Sequence, residues 1–156
     1  MYDKFPYIPV SEVNEDCCVG WAAIAATLRN HLSGSARIVC VECYPGVLLD
    51  RLCADLGKEF SDVQFFGTHR VVDYHAWARV LNGKLVRHYA FVGDRAETVC
   101  DFGKLTDDER KLGLVFDGKK FPAEQDVMNL AAAWSIDPST LDQLKLDKSV
   151  GQLGSR

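Results

Sequence analysis

Asn82-Gly83 and Gly93-Asp94 punctuate the run from His75 to Phe102, HAWARVLNGKLVRHYAFVGDRAETVCDF, and this run constrains the fold most. A two-residue type I′ loop needs positive φ at both central positions, which Asn-Gly supplies readily. That loop sets Leu81 opposite Lys84, Val80 opposite Leu85, Ala78 opposite Arg87 and Trp77 opposite His88. A tight Gly93-Asp94 turn sets Phe91 opposite Ala96, Tyr89 opposite Thr98 and His88 opposite Val99. The run therefore reads as a three-stranded antiparallel meander.

Alternation then sorts its side chains onto two faces. One face holds Tyr74, Ala76, Ala78, Val80, Leu85, Tyr89, Phe91, Ala96, Thr98, Cys100 and Phe102, with Arg87 as its only charge. This face is expected to cover a core. The other carries His75, Trp77, Arg79, Lys84, His88, Glu97 and Asp101, and is expected to meet water or a partner. A slip of one residue in register would exchange the two sets. A buried Arg87 would need an anion, for which Asp50 and Glu42 are candidates.

With 156 residues the chain suits one domain, expected over 1–146 with a flexible tail at 147–156. A chain of this length buries roughly 70% of its unfolded surface and needs no disulfide or metal to fold. The net charge of −4 argues against a nucleic-acid binder held by a basic stripe. The first residues carry acids and prolines where an export signal would need a basic start and an apolar run. The apolar stretch from Cys17 to Leu28 is too short to cross a bilayer. These features indicate a cytoplasmic protein with no membrane contact, and six cysteines without framework-like spacing then read as reduced thiols.

Helices flank the meander. Trp21, Ile24, Ala25, Leu28 and Leu32 recur at helical spacing behind Asp16, a suitable N-cap. Arg37 to Cys43 reads as a buried strand. Pro45 opens a helix with Leu48, Leu49, Leu52, Cys53 and Leu56 in one stripe and Gly57 at its left-handed end. Val63 to Phe66 is a further strand, which makes a β-α-β start, and another from about Val71 leads into the meander. Thr106-Asp107-Asp108-Glu109 has the form of a capping box, with Gly113 as the stop. Pro122 fits a first helical position, Val127, Leu130, Ala131 and Trp134 form an apolar face, and Asp137-Pro138 starts a short helix through Leu144. The fold class is α+β: a mostly antiparallel sheet of about five strands, with N-terminal and C-terminal helices packed on one face.

Few residues combine into a recognisable chemistry. Cys40-x-x-Cys43 has no second pair for zinc, and on a strand its two thiols point to opposite faces. Metal and acid–base sites use the types found at Asp73, His75, His88, Glu97 and Asp101. The pairing leaves His75 and His88 diagonal on an open face, without the concavity that catalysis needs. There is no Gly-x-Gly-x-x-Gly, P-loop, Gly-x-Ser-x-Gly or His-Glu-x-x-His. No cofactor, metal or catalytic residue is therefore assigned. Trp77 on a polar face suggests either a covering loop or helix, or an interface anchor. His75, Trp77, Arg79, His88, Glu97 and Asp101 form the candidate partner-binding surface.

FFGTHRVVDYHAWARVLNGKLVRHYAFVGDRAETVCDFGKLTDDERKLG, followed by FPAEQDVMNLAAAWSIDPSTL, resembles a family of small bacterial proteins. The resemblance covers about the last two-thirds of the chain. It implies an immunity partner of polymorphic or type VI secreted toxins, with a cognate toxin as protein partner. The expectation is a non-enzymatic cytoplasmic protein that binds and neutralises such a toxin. Two alternatives stay open: a small enzyme or ligand-binding domain with its site at the sheet edge, and a structural or regulatory module of a larger assembly.

Overall fold

The computed structural model describes residues 21–33, 49–116 and 120–143. The chain divides into two compact units, residues 1–42 with 147–156 and residues 43–146. Within the first, helix α1 spans Trp21–Ser33. Ala25 and Leu28 are buried there, and Trp21, Ile24 and Leu32 are half-buried, along the expected stripe. The Asp16 cap, the strand at 37–43 and the tail at 147–156 lie outside the described residues, as do the thiols of Cys17, Cys18, Cys40 and Cys43.

In the second unit, α2 (Leu49–Glu59) leads into a four-stranded antiparallel sheet in the order β1-β2-β3-β4. The strands are β1 (Asp62–His69), β2 (Tyr74–Leu81), β3 (Lys84–Val92) and β4 (Glu97–Phe102). Helices α3 (Asp107–Lys111) and α4 (Glu124–Trp134) follow, then a 3-10 turn at Pro138–Gln143. The class is α+β, with four strands among the described residues rather than about five. The strand expected from about Val71 begins only at Tyr74, because residues 70–73 form the β1–β2 connection.

The Asn82-Gly83 turn forms as expected: φ is 47° and 75° at its two residues. Leu81 faces Lys84 and Val80 faces Leu85. Beyond that point the expected register fails. A bulge at Val86 places Arg79 opposite Arg87, Ala78 opposite His88 and Trp77 opposite Tyr89. One extra residue in a strand transfers every later side chain to the other face. Arg87, Tyr89 and Phe91 thus join Trp77. The second turn also differs. Gly93–Arg95 forms a 3-10 turn and Ala96 takes φ 47°, so Val92 faces Glu97. A second bulge, at Val99, then sets Tyr89 opposite Asp101.

The face expected to be outer on β2 is consequently a core face. Trp77, Tyr89 and Phe91 pack with Leu114, Val127, Leu130 and Trp134 in one cluster. Trp77 stacks on Tyr89 at 4.6 Å between ring centroids, and Phe66 meets Trp134 at 5.6 Å. Burial of this aromatic surface contributes roughly 25 cal/mol for each Å² removed from water. Helix α4 supplies the expected buried residues Val127, Leu130, Ala131 and Trp134. It begins two residues later than expected: Ala123 is the N-cap, its N–H donating to Asp126 Oδ2 at 3.0 Å, and Pro122 precedes the helix.

Helix α2 covers the opposite face, where Val63 and Val80 lie, so α2 and α4 do not share one face of the sheet. Gly57 is not a C-terminal cap, because α2 continues to Glu59. Its value is close approach: a Cβ there would sit 2.5 Å from Val80 Cγ1. Val80 is β-branched and buried, so it has little freedom to yield. Gly57→Ala gains about 1 kcal/mol of helix propensity. The overpacking it forces costs about 1–3 kcal/mol. We expect Gly57→Ala to lower the urea midpoint, and the same substitution in a Val80→Ala background to raise it. A gain from Gly57→Ala in the otherwise native chain would contradict this packing.

Candidate functional site

The capping box at Thr106 forms as the sequence suggests, and then does more. Glu109 N–H donates to Thr106 Oγ1 at 3.2 Å, while Thr106 N–H donates to Glu109 Oε2 at 2.7 Å. The other carboxylate oxygen points into the sheet. Oε1 accepts from Trp77 Nε1 at 2.9 Å and from Arg87 Nε at 2.7 Å. Glu109 is 0% exposed and Arg87 2%. Arg87 Nη1 donates to Asp101 Oδ1 at 2.6 Å and to the Phe102 carbonyl at 2.9 Å. Arg87 thus pairs with Glu109 and Asp101; neither anion is the Asp50 or Glu42 proposed from sequence. Burial opposes its charge, but hydrogen bonds to Asp101 and Glu109 outweigh that and hold its pKa above the ordinary arginine value.

The six residues of the expected partner surface do not share a surface. Trp77 (0% exposed) and His75 (2%) belong to the interior. The Val86 bulge is the physical reason, because it brings Tyr89 and Phe91 to their side and α4 covers the result. Trp77 is therefore a core residue, not an exposed anchor. Arg79 is half-buried, donates to Asp62 at 2.7 Å through Nη2 and lies over the Trp134 ring at 5.3 Å. Asp101 sits on the same face but at the edge, where it stays largely open while pairing with Arg87. His88 and Glu97 lie on the α2 face. His88 Nδ1 is 3.4 Å from Cys100 Sγ, so His88 meets a thiol rather than the other histidine.

Two arrangements remain accessible. The first is β4, which with β1 is one of the two edge strands of the sheet among the described residues. Every residue of β4 except half-buried Cys100 is exposed, including Val99 (50%) and Phe102 (51%). The second lies at the connected end of β1 and β2. His75 Nδ1 contacts Thr68 Oγ1 at 3.2 Å, and His75 Nε2 contacts Asp73 Oδ1 at 2.9 Å. Asp73 and His75 were candidates from sequence, whereas Thr68 was not. The missing signal was the β1–β2 register, which sets Thr68 directly opposite His75. Among the described residues no group of three or more His, Cys, Asp or Glu side chains could hold a metal ion, and no helix is long and apolar enough to cross a membrane.

Comparison with protein-family models, with curated proteins and with solved structures finds no match for this chain.

The Glu109 arrangement yields an ordering of variants. Glu109→Ala takes the buried anion from Arg87 Nε and the acceptor from Trp77 Nε1, leaving Arg87 only Asp101 and backbone carbonyls, and breaking a buried pair costs up to about 3–5 kcal/mol. Thr106→Ala removes the hydroxyl that caps the helix and donates to Glu109 Oε2 but leaves Arg87 and Trp77 paired, at about 1 kcal/mol. Denaturant midpoints should separate the two clearly; equal losses would mean that Glu109 acts only as a helix cap.

Proposed function

We propose that this chain is an immunity-type protein that binds a cognate toxin in the cytoplasm, with the β4 edge as its docking strand. The observation that carries the reading is the β4 edge, which pairs with no further strand among the described residues. An unpaired strand edge offers a row of backbone donors and acceptors to an incoming strand, and natural proteins normally blunt or cover it. Here Val99 and Phe102 are exposed along it, and the strand's charged residues, Glu97 and Asp101, are both acidic. The chemistry favours an extended segment with basic side chains opposite Glu97 and Asp101 and apolar ones against Val99 and Phe102. The resemblance of residues 65–113 and 121–141 to immunity partners of secreted toxins, and the net charge of −4, support the same reading. Binding alone would suffice for neutralisation if the occupied segment belongs to the toxin's active region.

The test is co-expression with the product of the adjacent gene. Protection and a stable complex are expected, and a harmless neighbour that does not bind would refute the immunity reading. Val99→Asp with Phe102→Ser should abolish protection and weaken Kd at least 100-fold, about 2.7 kcal/mol. Both side chains are half-exposed, so circular dichroism should stay unchanged. Intact protection in that variant would exclude β4 as the docking strand while leaving the immunity reading standing.

A further inference from the structure

We propose that Thr68, His75 and Asp73 form a nucleophilic acyl-transfer site, with Thr68 Oγ1 as the nucleophile and small esters or thioesters as substrates. The argument starts from satisfaction of the imidazole. A neutral His75 meets both contacts when Nε2–H donates to Asp73 Oδ1 at 2.9 Å and Nδ1 accepts the Thr68 hydroxyl proton at 3.2 Å. That tautomer leaves a lone pair of the base on the hydroxyl and a carboxylate behind the ring, the order of parts in nucleophile–base–acid relays. The roles of the two ring nitrogens are exchanged relative to the serine-protease arrangement.

Three further features distinguish it from a chance surface cluster. His75 is 2% exposed, while Thr68 is half-buried and Asp73 open. Asp73 is held at φ 48°, in the left-handed region, by a hydrogen bond from Gly93 N–H to its carbonyl at 2.9 Å. Its carboxylate lies against Gly93, where a Cβ would collide with Oδ2, so the second hairpin leaves room for the acid of the first. The cross-strand neighbour of His75 is Phe91, on which the half-exposed Phe121 stacks at 5.1 Å. These rings flank the base on the side of β2 away from Thr68.

The step balances without a cofactor. Thr68 Oγ1 attacks the acyl carbon, and its proton passes to His75 Nδ1. The imidazolium so formed is stabilised by Asp73. The bond from acyl carbon to leaving oxygen or sulfur breaks, and the leaving group takes the proton from Nδ1, departing as alcohol or thiol. Water then repeats the sequence on acyl-Thr68, releasing the carboxylic acid and restoring the hydroxyl. Asp73 acts as a positioning residue, and Gly93 positions Asp73.

p-Nitrophenyl acetate is the probe. The full chain should release nitrophenolate in a burst and acquire one acetyl group, mapped to Thr68 by peptide mass analysis. Thr68→Ser should keep the burst and Thr68→Val should lose it, at least about 100-fold in rate. Asp73→Asn, which tolerates the left-handed backbone, should slow acylation by a similar factor and shift its pH profile without changing thermal stability. Gly93→Ala should reproduce the Asp73→Asn rate. Acetylation only at lysines or cysteines, or an equal burst in Thr68→Val, would overturn the proposal. This result is independent of toxin binding, because β4 carries none of the three residues.

Discussion

Glu109 is the residue through which α3 is fastened to the sheet. One oxygen closes the cap of α3, and the other accepts from Trp77 on β2 and Arg87 on β3. Removing a carboxylate from water is expensive, and the four hydrogen bonds it accepts offset that cost. The same group therefore decides where α3 begins, which rotamer Trp77 adopts and which face Arg87 occupies. Leu112 and Phe116, just beyond α3, then pack on the aromatic cluster. Had Arg87 turned to the α2 face, Glu109 would be a buried charge without its cation.

This constraint explains where sequence reading succeeded and where it failed. Turn chemistry is local, so Asn82-Gly83 and the pairs nearest to it were legible. The capping box and the stripe Val127, Leu130, Ala131 and Trp134 were legible for the same reason: helical spacing and end effects depend on near neighbours. The Val86 bulge is different. Nothing in Leu85-Val86-Arg87 marks an extra residue, since both registers bury apolar side chains. The bulge is favoured by distant partners, the Glu109 carboxylate and the aromatic cover from α4, which strand alternation does not contain. Trp77 and His75 were consequently placed outside although the fold needs them inside. Thr68 was missed through the same limit, because its partner lies across a hairpin whose boundaries were drawn from Val71.

The two hairpins are mutually dependent. Gly93, at the β3–β4 turn, donates to the Asp73 carbonyl at the β1–β2 connection and leaves space for its carboxylate. A two-residue turn at Gly93-Asp94 would have drawn β4 into the register expected from sequence. The longer 3-10 turn, with Ala96 left-handed, lets β4 start later, and the bulge at Val99 then brings Asp101 beside Tyr89, where it reaches Arg87. Asp73 is therefore set by contacts from outside its own hairpin, and its distance to His75 is a property of the whole sheet.

The edge strand follows from the same geometry. Bulges commonly twist an edge away from new partners, which protects a sheet from unwanted pairing. In β4 the Val99 bulge does this incompletely: it sets Asp101 within reach of Arg87 at the open edge while Val99 and Phe102 remain half-exposed. Arg87 links this edge to the core, since one guanidinium holds Asp101, the Phe102 carbonyl and Glu109 together. A strand docking on β4 would meet a pre-ordered edge rather than a frayed one, and less conformational entropy would be lost on binding. In the proposed docking the buried Trp77 would act without touching the partner, through the carboxylate it shares with Arg87.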